Sequence, residues 1–255
     1  MNIRIITATH KQYKMPKDGM YLPIHVGKAK SPKSLPQYLG DNTGENISLK
    51  NSNYCELTAL YWAWKNLDCD YIGLAHYRRH FMGKKGKDKW SSVLTKEQAE
   101  TLLKKTDVIL PKPRNYFIET TYNQYIHAHN KQDLDETERI LAKFYPEYMP
   151  AYKEVMNSTK GHRFNMFIMK KEIMDSYCQW LFDVLLRLEN VLDISSYSEN
   201  DARVFGFVSE RLLDVWIITN NIDYIEAPVI YMEKQNWLKK GAAFLKRKFL
   251  GKGKK

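Results

Sequence analysis

The chain has 255 residues, 44% of them hydrophobic and 27% charged, with a formal net charge of +11. That length supports one α/β domain with a sizeable core, and no Gly/Ser/Pro-rich linker, internal repeat or low-complexity tract divides the body. Three widely spaced cysteines, Cys55, Cys69 and Cys178, form neither a disulfide framework nor a CxxC metal knuckle and point to a reducing compartment. No apolar run approaches the roughly 20 residues needed to cross a bilayer, and the apolar start is too short for a signal peptide. Eight basic residues and no acidic one fall in 236–255, leaving +3 on the rest. The attraction to polyanions therefore resides mainly in that tail. The body has no helix-turn-helix, zinc or aromatic-platform signature, so nucleic acid is not an expected partner.

In chain order, residues 3–8 are a β-branched apolar run and read as a buried strand. A loop rich in Pro, Gly and Lys extends to about Gly44, with a second short strand at 21–27. Residues 51–66 read as a helix, with Tyr54, Leu57, Leu60, Tyr61 and Trp64 at three- and four-residue spacing and Glu56 near its first turn. A strand at 70–75 runs into His76-Tyr77-Arg78-Arg79. A helix over 95–105 capped by Thr95, a strand at 107–110, a mostly helical stretch over 121–145 and a strand at 165–169 follow. Helices over 172–192 and 200–220 and an edge strand at 224–229, weakened by Pro228, end the body. Strands alternating with helices predict an α/β fold, its mostly parallel sheet flanked by helices and its ligand beyond the carboxyl ends of the strands. The expected division is a domain over 1–235 and a tail over 236–255. In the tail, Leu238, Ala242, Leu245 and Phe249 share a helical stripe away from the lysines, which suits a helix lying on an anionic membrane surface.

His76-Tyr77-Arg78-Arg79 is the most informative segment, because it emerges where such a sheet places its ligand. The planar fork of arginine suits phosphate, tyrosine can stack on a base or sugar, and histidine can donate to phosphate or move a proton. Taken alone, the tetrapeptide reads equally well as a solvated basic turn. Thr7, Thr9 and His10 end the first strand at the same edge. Asn46 belongs to a polar stretch ahead of a helix, where anions are favoured, though turn and cap chemistry explains such residues too. Asp68-Cys69-Asp70 has the form of a metal-binding DxD, but it precedes its strand and reads better as a turn. His127 and His129 point to different faces of a helix and make a poor chelating pair. Among the acidic residues 199–210, Asp201 and Glu210 are the candidate bases for taking a proton from an acceptor hydroxyl, with ion pairing along the helix the alternative.

Gly44-Glu45-Asn46-Ile47-Ser48, the stretch from Tyr54 to Asn66, Tyr71-Ile72-Gly73-Leu74 with the basic tetrapeptide, Asn165-Met166-Phe167-Ile168-Met169 and Arg203-Val204-Phe205-Gly206-Phe207 together resemble one family. It comprises bacterial glycosyltransferases of capsular and exopolysaccharide biosynthesis, formerly a domain of unknown function. The resemblance implies a GT-A-like nucleotide-diphospho-sugar transferase. It would move a galactose or galactofuranose unit from a UDP-sugar to a lipid-linked or growing polysaccharide acceptor, the alternative being a noncatalytic membrane-associated scaffold of a polysaccharide assembly. Thr7, Thr9, His10, Asn46, His76, Tyr77, Arg78 and Arg79 would hold the donor, Asn165 and Arg203 would face sugar or acceptor, and Asp201 or Glu210 would be the base. The implied location is cytoplasmic, peripheral on the inner face of the plasma membrane. Where the usual GT-A pattern carries its DxD, this chain has His76-Tyr77-Arg78-Arg79. Arginines then replace the metal at the diphosphate, and the expectation is no cofactor, a divalent cation such as manganese being disfavoured.

Overall fold

The computed structural model describes residues 1–234, so the expected tail helix and the boundary before it lie outside the described residues. The strands are β1 (Ile3–Thr9), β2 (Tyr21–His25), β3 (Leu39–Gly40), β4 (Tyr71–His76), β5 (Arg79–Phe81), β6 (Val108–Pro111), β7 (Arg114–Asn115), β8 (Lys160–Gly161), β9 (Phe167–Lys170), β10 (Ile225–Ala227) and β11 (Val229–Tyr231). The helices are α1 (Asn51–Tyr54), α2 (Leu57–Asn66), α3 (Lys96–Leu103), α4 (Thr121–Ile126), α5 (Lys131–Phe144), α6 (Met149–Asn157), α7 (Lys171–Val191) and α8 (Val204–Thr219). The main sheet runs β10-β6-β9-β4-β1-β2-β3, with β5 and β11 attached beside β4. Neighbours pair in parallel except at β9, which lies antiparallel between β4 and β6.

The two-residue period of a strand divides the core into two. Ile6, Ile72, Leu74, Val108, Leu110, Phe167 and Met169 point to one face, where they pack under α2, α7 and α8. Ile5, Tyr71, Ala75, Ile109 and Ile168 point to the other, closed by α3 and by Phe81 and Ile230. Both faces are covered, which is why the strands read as continuous apolar runs. Each of the valines, leucines, isoleucines, phenylalanines and methionines among these side chains contributes about 1.5–3 kcal/mol on burial. Gly73 sits mid-strand because any Cβ there would lie 3.0 Å from Ile168 and 3.1 Å from Ile5.

Several expected elements divide in the structure. The helix over 51–66 breaks at Cys55, whose φ is 53°, so Glu56 becomes the N-cap of α2. The stretch over 121–145 is two helices, α4 and α5, parted by a turn at His127–Asn130. The 200–220 helix opens with a 3₁₀ turn, Asp201–Arg203. The strand at 165–169 begins two residues later, because Phe164 and Asn165 both have positive φ, 76° and 53°. Helix α6 and the short strands β3, β5, β7, β8 and β11 were not legible in the periodicity. Thr95 does cap α3, through a capping box with Gln98. Pro228 lies between β10, an edge strand on β6, and β11.

Two buried polar side chains show how the fold treats charge. Asp41 is fully buried, and its carboxylate accepts from the amides of Gly27 (2.8 Å) and Lys28 (3.0 Å), from Thr58 Oγ1 (2.6 Å) and from Ser48 Oγ. Those bonds fasten the end of β2 to α2 and satisfy the buried charge. His80 is also fully buried, but neither ring nitrogen has a partner, and it packs edge-on to Tyr21. Burial lowers its pKa from 6.5 to about 4, with proximity to His76 the second cause.

Leu74→Ala should lower unfolding free energy by about 2–5 kcal/mol in urea, through lost burial and the cavity left behind. His80 is neutral in the fold and titrates near its ordinary value when unfolded. Its stabilising effect is therefore full above pH 6.5 and is lost as pH falls toward 4. Over that window the loss is on the order of 3 kcal/mol. His80→Phe should flatten this part of the stability–pH curve, measured by urea midpoints.

Candidate active site

The parallel strands β1, β2 and β4 end together, and β9, running oppositely, begins at the same edge. A cleft of about 740 Å³ opens there. Its walls come from Thr9 and His10 at the end of β1, the α1–α2 break, the turn after β4, Arg114 and Tyr116 after β6, and α8 with the 3₁₀ turn before it. Five arginines line it, Arg78, Arg79, Arg114, Arg203 and Arg211, against Glu56, Glu199 and Glu210. The cleft is therefore cationic although the body is nearly neutral.

The Arg79 guanidinium makes no hydrogen bond or ion pair with another described residue. It lies 4.4 Å from the Phe164 ring centroid and 5.9 Å from that of Tyr231. Its Nε is buried without a hydrogen-bond partner, and burial is the main cause lowering its pKa from the ordinary arginine value. Arginine keeps its charge even so. Aromatic faces position the ion without consuming its donors. Arg203 is held similarly, over Phe207 at 5.3 Å, with Nε 3.1 Å from Cys55 Sγ. The Cys55 thiol is pushed up to about 11, chiefly by burial and then by Glu56, so it stays protonated at neutral pH and is no nucleophile. Arg78 reaches Glu233 at 3.3 Å.

Beside the arginines stands an aromatic group. Tyr77 is met edge-on by His10 (5.4 Å) and Tyr13 (5.0 Å), and Lys11 Nζ lies 5.2 Å from its ring. Burial, then Lys33, Lys11 and Arg78, depress the His10 pKa and favour the neutral ring. His76 Nε2 donates to the Phe164 carbonyl at 2.6 Å, which fixes the tautomer, since a carbonyl can only accept. That nitrogen is a structural tie between β4 and the entry to β9.

The sequence-predicted residues separate into those in the cleft and those outside it. Thr9, His10, His76, Tyr77, Arg78, Arg79, Arg203 and Glu210 all line it. Thr7 is fully buried in the sheet, and Asn46 spends its side chain on Gly44 and Ser48 in its own turn; neither reaches the cleft. Asn165 stands just behind the wall, donating to Glu56 Oε1 at 2.8 Å. Asp201 is not among the lining residues, because its carboxylate is bound by His129 (3.3 Å) and Ser198 (2.9 Å). Glu210 is paired with Arg211 at 3.1 Å. His127 pairs with Glu119 at 2.7 Å and forms no chelate with His129. Asp70 accepts from the Asn2 amide at 2.7 Å, which places the DxD-like run at the amino edge of the sheet, opposite the cleft. Among the described residues, no cluster of three or more His, Cys, Asp or Glu side chains is arranged to hold a metal ion. Sequence reasoning missed Glu56, Arg114, Tyr116, Gln124 and Arg211. Glu56 carried a faint signal, an acidic residue beside the core tyrosine Tyr54, but the break at Cys55 that aims it is invisible in periodicity.

Among the described residues no helix is long and apolar enough to cross a membrane. No curated protein matches the chain. A solved structure, the WbbM bifunctional glycosyltransferase in its apo form, is similar at 30% identity with a TM-score of 0.83. The likeness covers 92% of this chain and 46% of that one, so the chain spans less than half the length of the protein it matches. It agrees with the expected GT-A-like architecture, in which a mostly parallel sheet is flanked by helices. The family described as "Domain of unknown function (DUF4422)" matches residues 4–221, and the chain belongs to that family.

Proposed function

We propose that the protein is a glycosyltransferase of polysaccharide biosynthesis that moves a hexosyl unit from a UDP-sugar, in a galactose or galactofuranose form, to a lipid-linked or growing glycan acceptor. The observation that carries this reading is Arg79. A guanidinium stacked on aromatic rings, with unspent donors and in a cleft with four further arginines, suits a leaving diphosphate. The likeness to a bifunctional glycosyltransferase supports the same reaction class for the part of that protein this chain resembles.

In this reading Tyr77 and His10 form the platform for the nucleoside, and Arg78, Arg79 and Arg203 hold the diphosphate. As the bond from the anomeric carbon to the phosphate oxygen breaks, charge gathers on the diphosphate. Fixed guanidiniums stabilise it without rearranging. GT-A-like enzymes commonly use a cation here. The lining residues do not fit one: the position of the usual DxD is taken by His76-Tyr77-Arg78-Arg79, and Asp68 and Asp70 sit at the opposite edge. The proposal is a metal-independent transfer. Glu210, already paired with Arg211, suits a hydroxyl of the sugar or acceptor.

UDP should bind in calorimetry, and Arg79→Ala should weaken that binding about 10- to 100-fold, as the loss of charge-assisted bonds worth about 1.5–3 kcal/mol requires. The urea midpoint should be nearly unchanged, and Arg79→Lys should restore little because ammonium lacks the planar fork. Turnover should survive EDTA; activity abolished by chelation and regained only with manganese would refute the metal-free reading.

A further inference from the structure

Of the three glutamates in the cleft wall, Glu56 is the one the fold positions most elaborately. Its Oε1 accepts from Asn165 Nδ2 at 2.8 Å, and His76 Nε2 lies 4.0 Å from the same oxygen. Asn165 is itself buried. Its Nδ2 also donates to the Gly206 carbonyl at 3.2 Å, and its Oδ1 is 3.0 Å from Ser209 Oγ. A carbonyl and a carboxylate can only accept, so the amide is fixed with its nitrogen toward both. The backbone is strained on either side of this contact: Cys55, Phe164 and Asn165 have φ of 53°, 76° and 53°. Non-glycine residues adopt that region only under strain, and such strain gathers where a structure positions reacting groups. Here it turns the carboxylate of Glu56 out of the helical path and into the cleft wall.

The other acids differ. Glu210 is paired with the Arg211 guanidinium at 3.1 Å, and Glu199 is exposed. Asn165 orients Glu56 with a neutral amide in place of a guanidinium. No described residue hydrogen-bonds Glu56 Oε2.

We infer that Glu56 is the general base of an inverting sugar transfer, held in place by Asn165 and Ser209. This rests on the glycosyltransferase reading. The acceptor hydroxyl oxygen forms a bond to the anomeric carbon while its proton passes to Glu56 Oε2. The bond from that carbon to the diphosphate breaks, and its electron pair leaves on the phosphate oxygen, facing the arginines. Asn165 and Ser209 are positioning residues, since they act only through Glu56.

The test uses the full chain with UDP for binding, and UDP-galactopyranose or UDP-galactofuranose with an octyl galactoside acceptor for turnover. Glu56→Gln preserves size and can still accept from Asn165. It should bind UDP within about threefold of wild type while kcat falls about 10²- to 10⁴-fold, the usual contribution of a general base. Asn165→Ala should shift the acid limb of the kcat/KM pH profile without changing UDP affinity, which a merely structural role would not do. Glu56→Asp, the variant to use if Glu56→Gln does not fold, should retain a fraction of turnover. Product should carry the anomeric configuration opposite to the donor's. Turnover of Glu56→Gln within tenfold of wild type, parallel loss of UDP binding, or retained configuration would each overturn the inference. A wild-type chain that neither binds UDP nor releases it from these donors would instead overturn the glycosyltransferase reading beneath it.

Discussion

The side-chain amide of Asn165 joins three parts of the chain that are far apart in sequence. It sits at the entry to β9, donates to Glu56 at the break between α1 and α2, and donates again to the carbonyl of Gly206 in α8. All three segments form the cleft wall. Gly206 permits the approach, because α8 passes so close to α1 that an added Cβ would lie 3.3 Å from Cys55. A buried amide with every strong partner satisfied is rigid, and removing any one partner leaves the others with an unpaired polar group. The geometry of the cleft thus depends on a contact that binds no ligand itself.

Around that anchor, the cations are held in an unusual manner. Arg79 and Arg203 rest on Phe164 and Phe207, and Arg203 meets a protonated thiol, not a carboxylate. Ring faces and sulfur orient a guanidinium while leaving most of its charge uncompensated. Pairing with carboxylates would have neutralised the cleft in advance. The arrangement suits an anionic group with several oxygens and accounts for a positive cavity in a body with little net charge.

Much of this was legible in the sequence. The apolar runs located β1, β4, β6 and β9, and the rule that ligands gather at carboxyl ends singled out Thr9, His10 and the basic tetrapeptide. What escaped has a common cause. Cys55, Phe164 and Asn165 adopt positive φ without being glycine, so nothing in composition announces the turns they make. Those turns divide the 51–66 helix, delay β9 and bring Glu56 forward. Thr7 and Asp201 were misplaced for a different reason: residue type and position along the chain do not reveal whether a polar side chain points into a cavity or toward a neighbour. Thr7 faces the sheet interior, and Asp201 is bound by His129 and Ser198.

The hairpin joining β4 to β5 has only Tyr77 and Arg78 at its turn, and β5 pairs Arg79 with Tyr231 and His80 with Ile230. Successive residues on a strand face opposite ways, so Arg79 enters the cleft while His80 enters the apolar layer below. One residue inserted into or removed from that turn would exchange them. A permanent cation would be driven into a space that holds a neutral ring, and an imidazole without charge would replace the guanidinium in the cleft. The length of this turn is therefore under two constraints at once, and a change that alters it would cost the protein its stability and its anion site together.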